Sequence, residues 1–155
     1  MPSDIGGIVP DFDAINTALI ARFAAAAITP PTGYDNVKIS TGDLPTGMLP
    51  LPAVLVFPET GEFTSHPGKR DSTHQFVVRF YYNQTGDLER DTAALRKWLT
   101  VLVDQLKLSV QLGGIVTRAY VDSYSVGTFV YATQDYSGIE LTVSVLVNEA
   151  WAAVA

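Results

Sequence analysis

The chain contains no cysteine. Disulfides, thiolate-bound zinc and thiol nucleophiles are therefore excluded. Histidine is scarce: His66 and His74 are the only two, and they lack the i, i+4 helical spacing of a zincin. There is no Gly-x-Ser-x-Gly elbow to present a serine nucleophile. A phosphate-cradling loop is missing too, because Gly113-Gly114 lacks the Lys and Ser/Thr that would follow it. Basic residues are in the minority, ten Lys plus Arg against sixteen Asp plus Glu, for a net charge of −6. That balance disfavours sequence-independent nucleic-acid binding, which needs clustered cations. Long apolar runs are absent as well. The best, Ala18–Ile28, is broken by Arg22 and is far short of the ~20 residues that span a bilayer. Residues 1–7 lack the basic-then-apolar pattern of a secretory leader. No membrane, metal or cofactor is expected as a partner.

What the chain does have is apolar patterning. At 155 residues and 47% hydrophobic, it can bury the core of one domain over 1–155, with 1–10 flexible. The most organised stretch is Asp87–Leu106. Leu88, Thr92, Leu95, Leu99, Leu102 and Leu106 alternate four and three apart, which places them on one stripe of a helix. Trp98, Val101 and Val103 widen that stripe. Thr85 or Asp87 can cap the helix, and Asp87, Glu89 and Asp91 suit its positive end. An earlier helix opens at Asp11 or Asp13, carries Ile15, Leu19, Ile20 and Phe23 on one side, extends through Ala24–Ala27 and stops at Pro30-Pro31.

Strands surround the long helix. Asn36–Ile39 reads as a short edge strand, and Leu51–Phe57 as a strand blocked by Pro52 and Pro58. Phe76, Val78, Phe80 and Tyr82 alternate with Gln75, Val77, Arg79 and Tyr81. After a turn at Gly113-Gly114, residues 114–124 and 128–132 read as two strand pieces, with Gly127 a bulge or an end. Gln134–Gly138 is turn chemistry. Ile139, Leu141, Val143, Val145 and Val147 then form the cleanest alternation in the chain. The expected fold is α+β: a mainly antiparallel sheet with two helices packed on one face.

Residues 58–74, PETGEFTSHPGKRDSTH, read as a long mobile loop or an extended, protruding hairpin arm. Within it Glu59, Glu62, Phe63, His66, Lys69, Arg70 and Asp71 are the candidate contact residues. Lys69-Arg70 beside Asp71 reads as a salt-bridging spot. Tyr81, Tyr82, Tyr120, Tyr124, Tyr131 and Tyr136 suit half-buried strands and also protein interfaces. No catalytic constellation stands out, so an interaction module is favoured over an enzyme.

The element order, with LPAVLVFPETGEF at 51–63 and DYSGIELTVSV at 135–145, resembles the tail terminator proteins of long-tailed bacteriophages over about residues 11–149. The resemblance implies a structural virion protein with no catalytic residues. It implies a homo-oligomeric, hexameric ring that caps the tail tube protein, ends tube polymerisation and offers a head-joining surface to a head-completion or neck protein. DNA would pass only through the lumen, where an acidic lining repels phosphate. Its place would be the head-proximal end of the tail, after assembly in the host cytoplasm. Two rival expectations are a head–tail connector or stopper protein, and a small-ligand-binding or enzymatic α+β domain.

Overall fold

The computed structural model describes residues 10–43, 45–47, 49–84, 88–107 and 110–150. Residues 1–9, and the caps expected at Thr85 or Asp87, lie outside them. The described chain runs α1 (Phe12–Arg22), β1 (Ile39–Thr41), β2 (Ala53–His66), β3 (Lys69–Asn83), α2 (Leu88–Val103), β4 (Arg118–Tyr131) and β5 (Gln134–Ala150). A single 3-10 turn, Leu112–Gly114, precedes β4. The fold is α+β. One five-stranded sheet has the order β1-β2-β3-β5-β4. All its pairings are antiparallel except β1 with β2.

Alternation builds the core. Val54, Val56, Phe76, Val78, Phe80, Ile139, Leu141, Val143, Val145 and Val147 point to one side of the sheet. There they meet Ile15, Leu19 and Phe23 from the first helical segment and Leu95, Trp98 and Leu102 from α2. Asp11 caps α1, its Oδ1 accepting from the Ala14 amide at 3.1 Å. The helix stops at Arg22, so Ala24–Ala27 are turns and not the expected extension. The Arg22 guanidinium donates to the Gln105 carbonyl at 2.8 and 3.1 Å, and the Gln105 amide donates back to the Arg22 carbonyl at 2.8 Å. That exchange ties the ends of the two helical segments together and satisfies a terminal carbonyl on each.

The buried line of α2 differs from the expected stripe. It is Asp91, Ala94, Leu95, Trp98 and Leu102, with Leu88 and Leu99 only half-buried at its flanks. The helix is turned to put Trp98, the largest fully buried side chain, at its centre. Asp91 is carried inward with it. Its carboxylate accepts from Ser137 Oγ at 2.6 Å and from Asn83 Nδ2 at 3.2 Å, which pins the start of α2 to the sheet. The acidic first turn therefore does more than oppose a helix dipole.

Strand boundaries also differ: Gln134–Gly138, expected as a turn, is the paired start of β5. β2 passes straight through Pro58 to His66, with a register shift between Pro58 and Thr60. Proline is tolerated there because β1 covers only Ala53–Leu55, leaving the outer edge with no ladder bond for Pro58 to break. The edge strand β1 falls at Ile39–Thr41, two to three residues later than read. The two pieces at 114–132 are one strand, β4. Its irregularity lies at Asp122 and not at Gly127, and its turn is Ala132-Thr133, both at positive φ.

The face without helices has a small core of its own. Tyr81 and Tyr136 are buried there with Ala53 and Leu49, beside Leu51, Leu55, Phe129 and Tyr131. Tyr131 donates to the Pro45 carbonyl at 2.9 Å. The Pro/Gly-rich connector thus covers much of the tyrosine-bearing face that alternation alone would leave wet.

Candidate functional site: the hairpin arm

The 58–74 stretch is a β-hairpin, the outer half of β2 and β3. Pro67-Gly68 form the turn, with Gly68 at φ 76°. One flank of the hairpin is backed by β5 as far as Lys69 opposite Ala150. Among the described residues the other flank, the outer edge of β2 beyond Leu55, pairs with no strand. Every residue from Pro58 to His66 is exposed.

Pairing register splits the seven candidates between the two faces. Phe63 and Arg70 lie on the helix side. Glu62, His66, Lys69 and Asp71 lie on the other. Glu59 sits in the bulge at the base. His66 Nε2 is 3.4 Å from Asp71 Oδ2, both side chains about two-fifths exposed. Glu62 and Lys69 stand exposed. Arg70 makes a salt bridge, as the composition of this spot suggests, and its partner comes from another strand. It forks onto Glu149 of β5, Nε to Oε2 at 2.6 Å and Nη2 to Oε1 at 3.1 Å. That hydrogen bond raises the Arg70 pKa above its ordinary value, against opposing desolvation. The same guanidinium lies 4.5 Å over the Phe63 ring.

His74 is the residue that the sequence reading placed wrongly. It is buried, 3% exposed, in a slot closed by Phe12 at 4.9 Å and Phe63 at 5.1 Å between ring centroids. Gly61 leaves room for it: a Cβ there would fall 2.5 Å from His74 Nδ1. His74 Nε2 shares a 2.9 Å hydrogen bond with Ser72 Oγ. Ser72 is itself buried and lines none of the cavity beside His74. No cluster of three or more His, Asp or Glu able to hold a metal occurs among the described residues.

Burial pushes the His74 imidazole below its ordinary value. Glu149 opposes that and Arg70 adds to it, both more weakly. The unfolded chain takes up a proton near pH 6.5, whereas the folded chain does so only at lower pH. The stabilisation by neutral His74 is therefore complete above about pH 6.5 and is lost as pH falls toward the depressed folded value. Thermal melts between about pH 6.5 and 5.5, above most carboxylate titration, should drop more for the wild type than for His74→Gln. Parallel curves would sink this account.

Phe12 and Glu149 have no local sequence signal, because a distant helix and the β3–β5 register bring them to the arm; Ser72 and His74 lie within the 58–74 stretch, and register turns them inward. Tyr124 was among the flagged tyrosines, and it stands 60% exposed on β4. A scan of protein-family models finds none that matches this chain, and a search of curated proteins finds no match either.

Proposed function

We propose that this protein is a structural assembly subunit, a tail terminator that closes into a ring on the end of a tail tube and performs no reaction. The observation that carries the reading is the open rim of the sheet. β4 forms an edge strand of 14 residues, and the nine from Ser123 to Tyr131 contain no charge and no proline. A long, uncharged edge is a template for pairing with another chain, and monomers normally guard it. The hairpin arm supplies a second exposed rim, and a net charge of −6 suits a lumen that lets DNA slide. Among the described residues no helix is long and apolar enough to cross a membrane.

Negative-stain microscopy of the purified protein, alone and with tube protein, tests this. Rings with a central hole are expected, with tubes capped at one end when tube protein is present. Single small particles in both samples at high concentration would overturn it. A pull-down separates the rival neck-stopper role, which requires retention of portal-side proteins in place of tube protein.

A further inference from the structure

Among the described residues six large apolar side chains stand exposed: Phe12, Phe63, Val110, Tyr124, Val126 and Val130. They form two groups at opposite rims of one sheet. Phe12 and Phe63 flank His74 at the β2 rim. Tyr124, Val126 and Val130 lie on β4 at the other rim, and Val110 is held beside them where its carbonyl accepts from the Ala119 amide. Scattered exposed apolar residues are ordinary, but grouped ones beside an unpaired strand edge mark an association surface.

The two groups differ in shape. At the β2 rim Phe63 stands half exposed, steadied by the Arg70 guanidinium. At the β4 rim a groove of about 350 Å³ opens between the end of α2 and β4, its apolar lining drawn from Val103, Leu106, Val110, Val121 and Tyr124. A half-exposed ring at one rim and an apolar groove at the other complement each other, not themselves. Polarity agrees. Through three successive antiparallel pairings β2 runs antiparallel to β4, so a second copy in the same orientation offers its β2 edge antiparallel to β4. The base of that edge is closed off by β1, Pro58 and the bulge, which leaves Thr60–His66 available. The charges can also pair. The groove is bordered by Asp122, and Arg70 lies over Phe63 on the same face of the arm.

We propose that the chain associates head-to-tail, the β2 edge of one copy extending the sheet at β4 of the next and its Phe63 seating in the groove between α2 and β4. A contact between unlike rims repeats until the rotation closes, which makes a ring. This rests on the self-assembly part of the tail-terminator reading and not on the tube as partner.

The chain has no cysteine of its own, so introduced thiols report cleanly. Phe63→Cys and Tyr124→Cys are made singly and together in the full chain and treated with a short bis-maleimide. The double variant should give a ladder of oligomers, the two singles mixed should give one dimer band, and each single alone should stay uncoupled. Dimers from Tyr124→Cys alone would mean two-fold β4–β4 pairing and overturn the proposal. Rings seen by microscopy with no Phe63–Tyr124 coupling would overturn these rims yet leave the ring standing. Monomers under every condition, tube protein included, would remove both. As a second measure, Phe63→Glu should weaken self-association at least tenfold while the far-UV circular dichroism spectrum stays that of the folded wild type; assembly at the wild-type concentration would refute the seat.

Discussion

Trp98→Ala should remove about 3–5 kcal/mol of stability, the largest loss of any apolar truncation in the chain. The indole is fully buried and its ring centroid lies 4.7 Å from that of Phe80, tilted by 39°. It stands between α2 and the middle of the sheet, so truncation opens a cavity against strands that cannot close over it. A domain of this kind is stable by about 5–15 kcal/mol, so one substitution would take a large share. The internal comparison is Leu99→Ala. Leu99 is the neighbour that spacing alone puts in the core, yet it is only half-buried, and its truncation should cost about 1–2 kcal/mol. Urea titration followed by far-UV circular dichroism measures both. Equal losses would mean that α2 is turned the way its leucine spacing suggests.

That comparison locates the limit of what the chain reveals. The helical period in α2 and the two-residue period in β3 and β5 are local, so both helices, the core strands and the α+β layering could be read directly. The rotation of α2 is not local. It depends on Ser137 and Asn83, which sit 46 and eight residues away from Asp91 and satisfy its carboxylate. Without them the buried Asp91 carboxylate would be left with the long 3.8 Å contact to Arg90, and the leucine stripe would be the better face. Pro58 misled for a similar reason. A proline ends a central strand but not the outer edge of a hairpin, and which flank is outer is decided by β1.

The arm was legible as a region and not as a surface. Its composition marks residues 58–74 as unlike the core, but only register separates Phe63 and Arg70 from His66, Lys69 and Asp71. The partner of Arg70 lies 79 residues on. The β4 rim was hidden more deeply. Tyr124, Val126 and Val130 look like core residues of a strand, and they are exposed because α2, packed on β5 and touching β4, does not cover this half of β4. A pattern of alternation says which residues share a face. It does not say how far the covering layer reaches.

Gly138 carries turn chemistry in the sequence, yet it lies within β5 where the β3 backbone comes very close. A Cβ built there would run into the Phe80 carbonyl oxygen. The obstacle is backbone, held in the β3–β5 pairing beside Tyr81 and next to the register shift at Tyr82. A side chain could swing aside; this carbonyl can move only by parting the two central strands. Gly138→Ala should therefore cost about 3 kcal/mol or more, at or above the upper end of ordinary overpacking. Its cross-strand partner supplies the control. Gly127 lies opposite Gly138 on β4 and a Cβ there meets nothing within 4 Å. Gly127→Ala should be neutral or stabilise by about 0.5 kcal/mol, by restricting the unfolded chain. The two glycines face each other in the same ladder, so any general intolerance of alanine in this part of the sheet would appear at both. A large loss at Gly138 alone, read from urea midpoints at matched slopes, isolates the close approach of the β3 backbone; equal effects would mean that β3 and β5 lie further apart at this point.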